Sequence, residues 1–346
     1  MDMIRRQFIE ALATFGGAKL FGDVSLALVS SPAVAPDEYI KQCSVIIDEC
    51  WQWLTNGEFY KVERALNTHM PTLPRFANTI SPYQDTAANL AVQANIMQII
   101  LATHKLDYVA RVSYCVEAVR FGALSGDRNL YALALYWQGD TYTYCYNRPQ
   151  TAISHLNDAL SNLEDNALLS SAIYSDLSIA HAQDKDEANA EENETNALKY
   201  AVMARQAMPT YPNLDPFRQY IRIGSSELDQ FEGKTYLYLA ERFPGKGYAK
   251  LAYDAFERSV SKLAVTKSKL GQAYIRKADA ARALGDMGEF VKCWTDGFLI
   301  AIETGSMNRL TQAHKAILGI PEKWQRETTI QGLQKDISQA LIVARR

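Results

Sequence analysis

Apolar residues recur along this chain every three or four positions, in stretches several turns long that are separated by short polar links. The span 37–53 sets the pattern. Ile40, Cys43, Ile46, Ile47, Cys50, Trp51 and Leu54 fall on one side of a helix, and Thr55-Asn56-Gly57 ends it. The same period predicts helices over 58–69, 84–104, 107–123, 128–145, 149–162, 167–183, 194–208, 225–242, 248–263, 267–284, 287–303, 307–317 and 322–344. The links hold residues that stop helices: Gly126-Asp127, Asn147-Arg148-Pro149, Pro209 to Pro212, Pro244-Gly245, Gly285-Asp286 and Gly319 to Pro321. Strand-like alternation is scarce, so the fold class is all-α. Short links make successive helices antiparallel neighbours, that is, helical hairpins.

A longer period lies beneath the helical one. Ala152, Leu156 and Ala159 place a small, a bulky and a small residue at offsets of four and three. Ala252, Phe256 and Ser259 do the same, Ala197, Ala201 and Ala204 give an all-small version, and Phe290, Trp294 and Gly297 give a reversed one. In the preceding helices a small residue is followed three later by a ring, as in Gly139 with Tyr142, Gly233 with Tyr236 and Ser178 with His181. Offsets of three and four share one helix face. Two helices can approach closely only where one offers Gly, Ala or Ser and the other a ring or a leucine. Ala159, Ala204, Gly233 and Ala278 are therefore expected at buried helix contacts.

These residues resemble the tetratricopeptide repeat family over most of the span from Ile40 to Ile317. The resemblance implies an α-solenoid of antiparallel helix pairs wound into a right-handed superhelix, with about six to seven pairs. It divides the chain into an N-terminal capping helix and linker (1–36), a repeat domain (37–318) and a C-terminal capping helix (319–346). The equivalent small residues Ala118, Ala159, Ala204, Ser259 and Gly297 stand 41, 45, 55 and 38 apart. That irregularity leaves a HEAT-type solenoid, with units of about 40–47 residues, as the alternative. Long, irregular, tyrosine-rich pairs also resemble the sensor half of bacterial regulators that join tetratricopeptide repeats to a helix-turn-helix domain. No helix-turn-helix pattern occurs in 1–36, so the resemblance implies a DNA-binding half that is missing here or supplied by another chain.

Two readings stand for the first 35 residues. Arg5-Arg6-Gln7-Phe8-Ile9 has the form of a twin-arginine export signal, and Ala33-Val34-Ala35 the form of a cleavage site. Against this, Glu10, Lys19 and Asp23 interrupt the apolar stretch and Pro36 follows the cut. The other reading is a helix over 3–14, with Ile4, Phe8, Ile9, Leu12 and Phe15 covering the end of the repeat array in a cytoplasmic protein.

Composition narrows the function by exclusion. A formal charge of −3 gives no general attraction to nucleic acid or acidic membrane. No apolar run reaches the roughly 18 residues of a membrane span. The five cysteines are an odd, scattered set without CxxC, which suits packed thiols better than a disulfide framework. The five histidines fall in no ligand spacing, so no metal or other cofactor is expected. Phosphate-binding, zinc-protease and hydrolase motifs are missing, and Ser259-Val260-Ser261-Lys262 lies inside a repeat helix without partner motifs. The chain is thus expected to be no enzyme. The acidic segment Asp184 to Glu194 is expected to be a solvated extension between two helices.

The 19 tyrosines cluster, with Tyr131, Tyr136, Tyr142, Tyr144 and Tyr146 near Trp137, and Tyr236 beside Tyr238. In the resembled family the first helix of each pair lines the concave groove. Counted from the packing residues, the groove candidates are Tyr136, Asp140, Thr143, Tyr144 and Asn147, then Ser175 and Gln183. Gln230, Lys234 and Tyr238 follow, and then Gln272, Asp279 and Arg282. Rings supply contact area at low entropic cost, while amides and charges pair with a peptide backbone. The expected partner is a protein or peptide segment.

Overall fold

The computed structural model describes residues 35–221, 223–262 and 267–344, and among them every regular element is helical. The order begins with α1 (Pro36–Thr55), α2 (Phe59–His69), α3 (Leu73–Ala77), α4 (Gln84–Lys105), α5 (Tyr108–Leu124) and α6 (Arg128–Thr141). The last turn of α6 widens into a π turn (Tyr142–Tyr146), and α7 (Pro149–Asn162), α8 (Ala167–Gln183), α9 (Ala190–Ala207), α10 (Ser225–Arg242) and α11 (Tyr248–Lys262) follow. A second compact unit holds α12 (Lys267–Leu284), α13 (Met287–Glu303), α14 (Met307–Leu318), α15 (Glu322–Gln325) and α16 (Thr328–Ala344). The first unit is Pro36–Lys262, so the division falls inside the span read from sequence as one repeat domain.

Glycine–aspartate pairs punctuate the helices. Gly126 and Gly285 take φ of +68° and +79°, ending α5 and α12. Each next residue caps the following helix: Asp127 accepts from the Leu130 N–H and Asp286 from the Glu289 N–H, both at 3.0 Å. Such caps are worth about 1 kcal/mol each.

In the first unit the closest packing joins α4 to α5, α6 to α7, α8 to α9 and α10 to α11. Each pair also touches the next, α5 on α6, α7 on α8 and α9 on α10, and the leading helices α4, α6, α8 and α10 meet in series. Small residues permit this. A Cβ on Gly139 would lie 2.6 Å from Leu156 Cγ, and one on Gly233 would lie 2.8 Å from a ring carbon of Phe256. Both contacts set a glycine of one helix against a bulky residue of the next, the kind of match that close helix packing requires. Ala159, Ala204, Gly233 and Ala278 are all buried.

In the C-terminal unit α12 pairs with α13 in the same way. A Cβ on Gly297 would come within 2.9 Å of the Gly271 carbonyl. Trp294 Nε1 donates to the Ala313 carbonyl at 2.8 Å, fixing α13 against α14, and α16 packs on both.

Three local differences from the sequence reading have physical causes. Pro74 at the start of α3 adds a short helix within 70–83, where none was expected. The stretch 322–344 divides after Gln325 into α15 and α16. The acidic segment is solvated at Glu187, Glu191 and Glu192, as expected, but docked at its two ends: Arg242 donates to the carbonyls of Asp184 and Asp186, and Asn193 Nδ2 donates to Asp184 Oδ2 at 3.1 Å. Glu194 accepts from Lys246 at 2.7 Å and from the Tyr248 hydroxyl at 2.5 Å. Burial raises the Glu194 carboxyl, but these hydrogen bonds outweigh it and hold the group below its usual range. Glu194 thus ties α9 to partners more than fifty residues along the chain, which are invisible locally. The helix expected over 3–14 and the twin-arginine stretch lie outside the described residues.

Candidate functional site

Five of the sequence candidates meet a shared polar cluster on α6, α8 and α10. It is built from the buried side outward. Arg111 of α5 is 3% exposed and spends its guanidinium on three partners. Its Nε donates to Thr141 Oγ1 at 2.9 Å, Nη1 to Cys145 Sγ at 3.2 Å and Nη2 to Asp140 Oδ2 at 3.0 Å. Thr141 and Cys145 are in reach because they lie one turn apart, at the end of α6 and in the π turn. Single π turns of this kind recur at functional positions in helices.

The same widened turn delivers Tyr144. Its hydroxyl donates to Asp176 Oδ1 of α8 at 2.8 Å, while Asp176 Oδ2, buried with the rest of a side chain only 1% exposed, has no hydrogen-bond partner. The Lys234 ammonium of α10 stands 3.6 Å above the centroid of the Tyr144 ring and 5.7 Å from that of Tyr238. That geometry is a cation–π contact shared by two rings.

Electrostatics ties these groups together. Burial pushes the Asp140 carboxyl up, and the Arg111 pair and Lys234 offset only part of the shift. Burial pushes Asp176 well up, Asp140 adds to it, and the Tyr144 hydrogen bond, Lys234 and Arg111 oppose it. Burial, then Asp176 and Asp140, drives the Tyr136 phenol well up, so it stays neutral. Two acids in one dry environment with insufficient compensation favour keeping a proton between them. The arrangement can hold and exchange a proton, and it can bind a donor at Asp176 Oδ2.

No family model and no curated protein matches the sequence of this chain. Its function is therefore argued from this geometry.

The structure brings together Tyr136, Asp140, Tyr144, Lys234 and Tyr238, which the repeat offsets had placed on successive leading helices. Other candidates serve elsewhere. Thr143 is buried and donates to the Gly139 carbonyl at 3.0 Å, so it closes its own helix and does not face a groove. Asn147 is exposed, with φ +50°, and acts as the left-handed cap of the π turn. Ser175 is buried, donates to the Ser171 carbonyl at 2.8 Å, and borders a shallow depression with Arg205 and Glu232. Gln183 and Gln230 are buried, and Gln183 Oε1 has no hydrogen-bond partner. In the C-terminal unit Gln272 is half-buried, Arg282 pairs with Asp279 at 3.4 Å, and Arg282 Nη1 donates to the Gly319 carbonyl at 2.9 Å.

Arg111 and Asp176 were missed by sequence reasoning. Asp176 carried a signal, as a lone acid amid the apolar and small residues of α8. Trp137 Nε1 on α6 is another buried atom without a hydrogen-bond partner, here a donor.

Among the described residues no group of three or more His, Cys, Asp and Glu is placed to hold a metal ion, and no helix is long and apolar enough to cross a membrane. The five cysteines are free thiols. Burial, and then Glu49, pushes Cys50 up to about 12, and burial pushes Cys115 up to about 11, which suits packing and not nucleophilic work.

Proposed function

We propose that the chain is a tetratricopeptide-like α-solenoid that holds a peptide or protein segment on its leading helices and performs no chemistry on it. One observation carries this reading. Tyr144, Asp176, Lys234 and Tyr238 come from three successive leading elements and meet in one cluster, with a polar atom left unsatisfied. A packed core has no use for an orphaned carboxyl oxygen, whereas a binding surface awaiting a ligand does. The small-residue contacts at Gly139 and Gly233 support pairs of the tetratricopeptide kind. The irregular, tyrosine-rich pairs favour a regulatory or sensor module, with any DNA-binding part on another chain.

Selection of a random linear peptide library on the full chain tests the proposal. Peptides recovered in this way should lose at least about tenfold in affinity for the Tyr144→Ala/Tyr238→Ala double variant, since central aromatic anchors are worth about 2 kcal/mol or more. Far-UV circular dichroism should be unchanged. Failure to enrich any binder, or binders indifferent to both tyrosines, would overturn the reading.

A further inference from the structure

We propose that the cluster on α6, α8 and α10 receives a basic side chain, lysine or arginine, from the bound segment, and that Lys234 occupies that place in the free protein. The inference rests on the groove reading above and specifies its chemistry. The first argument is the kind of atom left wanting. Asp176 Oδ2 and Gln183 Oε1 are both buried oxygens without a hydrogen-bond partner, and Asp176 Oδ2 is an acceptor once its proton has left. They stand seven residues apart on α8. That spacing is two turns, or about 10 Å, and places them on one helix face. The unmet demand along that face is for donors.

The second argument is what the neighbouring rings already hold. Tyr144 and Tyr238 turn towards a cation, the Lys234 ammonium, at 3.6 and 5.7 Å from their centroids. The negative faces of tyrosine rings attract an ammonium or guanidinium and repel an anion. Beneath them lie the carboxylates of Asp140 and Asp176, and the guanidinium of Arg111 is committed to Asp140, Thr141 and Cys145. An incoming acidic group would meet two acids there; an incoming basic group displaces the proton of Asp176 and pairs with the carboxylate that remains.

The third argument is that the occupant can leave. Lysine is a compact charge on a flexible four-carbon stem, and Lys234 is half-buried at the margin of the cluster. When a ligand cation takes its place over Tyr144, the local count of charges is unchanged and the Lys234 ammonium regains water. The exchange therefore needs no rearrangement of the helices.

The test uses peptides selected on the full chain. In each, every lysine is replaced in turn by norleucine, which keeps the stem and drops the charge, and every arginine by citrulline. One such replacement should weaken binding to the native protein by at least about tenfold. The same replacement should weaken binding to Asp176→Asn by no more than about twofold, because the two groups are coupled through one contact. Lys234→Met, which removes the internal competitor, should tighten the parent peptide by about threefold or more. Circular dichroism of both variants verifies folding, and Lys234→Gln replaces Lys234→Met if the latter does not fold. Binders that need Tyr144 and Tyr238 but tolerate loss of every basic residue would overturn this inference and leave the groove reading standing. Binders that ignore both tyrosines would remove both.

Discussion

Asp176 and Asp229 invite comparison. Each sits on the leading helix of a pair, α8 and α10, and their exposures are 1% and 0%. Their environments are opposite. Asp229 accepts from Arg205 at 2.6 Å, from Lys262 at 2.6 Å and from Arg258 at 3.4 Å, and Glu232 binds the two arginines from the outer side. Burial raises Asp229, yet the Lys262 and Arg205 hydrogen bonds outweigh it and leave the carboxyl below its usual range. Asp176 has one hydrogen bond, an orphaned oxygen and a carboxyl pushed well up. Equal burial thus yields a satisfied ion cluster in one place and an unfulfilled one in the other. What separates them is access to cations. Arg205, Arg258 and Lys262 keep 38%, 45% and 43% of their side chains in solvent while reaching Asp229. Beside Asp176 the Arg111 guanidinium is buried and already engaged with Asp140, Thr141 and Cys145.

The largest effect should come from the guanidinium on which the unfulfilled cluster depends. Arg111→Met removes the cation of Asp140 and the donors to Thr141 and Cys145 together. Stranding a buried carboxylate in this way costs about 3–5 kcal/mol, read as a drop in the urea midpoint at neutral pH. Adding Asp140→Asn should restore most of it, since the double variant buries no unpaired charge. A loss below about 1 kcal/mol would mean that the pair is better hydrated than its 4% and 14% side-chain exposures imply.

Asp229→Asn should cost less, about 1–3 kcal/mol, because the three cations it releases are partly exposed and turn to water. Its pH dependence has a definite sign. The folded carboxyl lies below the unfolded value of about 3.9. The stabilisation is therefore complete above that value and is lost as pH falls through the folded one. The gap between native protein and variant should close in acid. A gap that stays constant with pH would show that Asp229 contributes shape and not charge.

The sequence carried much of this architecture and little of the contrast. The three-and-four period, the Gly-Asp links and the spacing of Gly139 against Leu156 are local, so helices and their pairing were legible. Tyr144 and Tyr238 were legible for the same reason, since each follows a packing glycine by five residues. Arg111 and Asp140 lie twenty-nine residues apart, and Asp176 and Tyr144 thirty-two, so nothing local told a buried partner from a surface charge. Asp229 with Lys262 is equally remote in sequence. The π turn arises from a run of residues that reads as ordinary helix.

The smallest effect, and the one that sharpens the comparison most, belongs to Asp176→Asn. The replacement keeps the size of the side chain and an oxygen able to accept from the Tyr144 hydroxyl, so packing and that hydrogen bond survive. Only the titrating proton is removed. With the folded carboxyl raised above its unfolded value of about 3.9, the native protein holds a proton that the unfolded chain releases. Its stability therefore falls as pH rises from that value towards the folded one, and the whole penalty is present above the folded one. The variant escapes this penalty. Near pH 3 the two proteins should unfold at about the same urea concentration, and towards neutrality the variant should gain, since the upward shift persists with the Lys234 charge already opposing it. The opposite sign at neutral pH would be decisive. A variant weaker than the native protein by about 1 kcal/mol or more would mean that Asp176 is ionised and paired like Asp229, with Lys234 as its counter-ion. The ammonium above Tyr144 would then be a fixed part of the core, and no vacancy for a partner's basic side chain would lie beneath it.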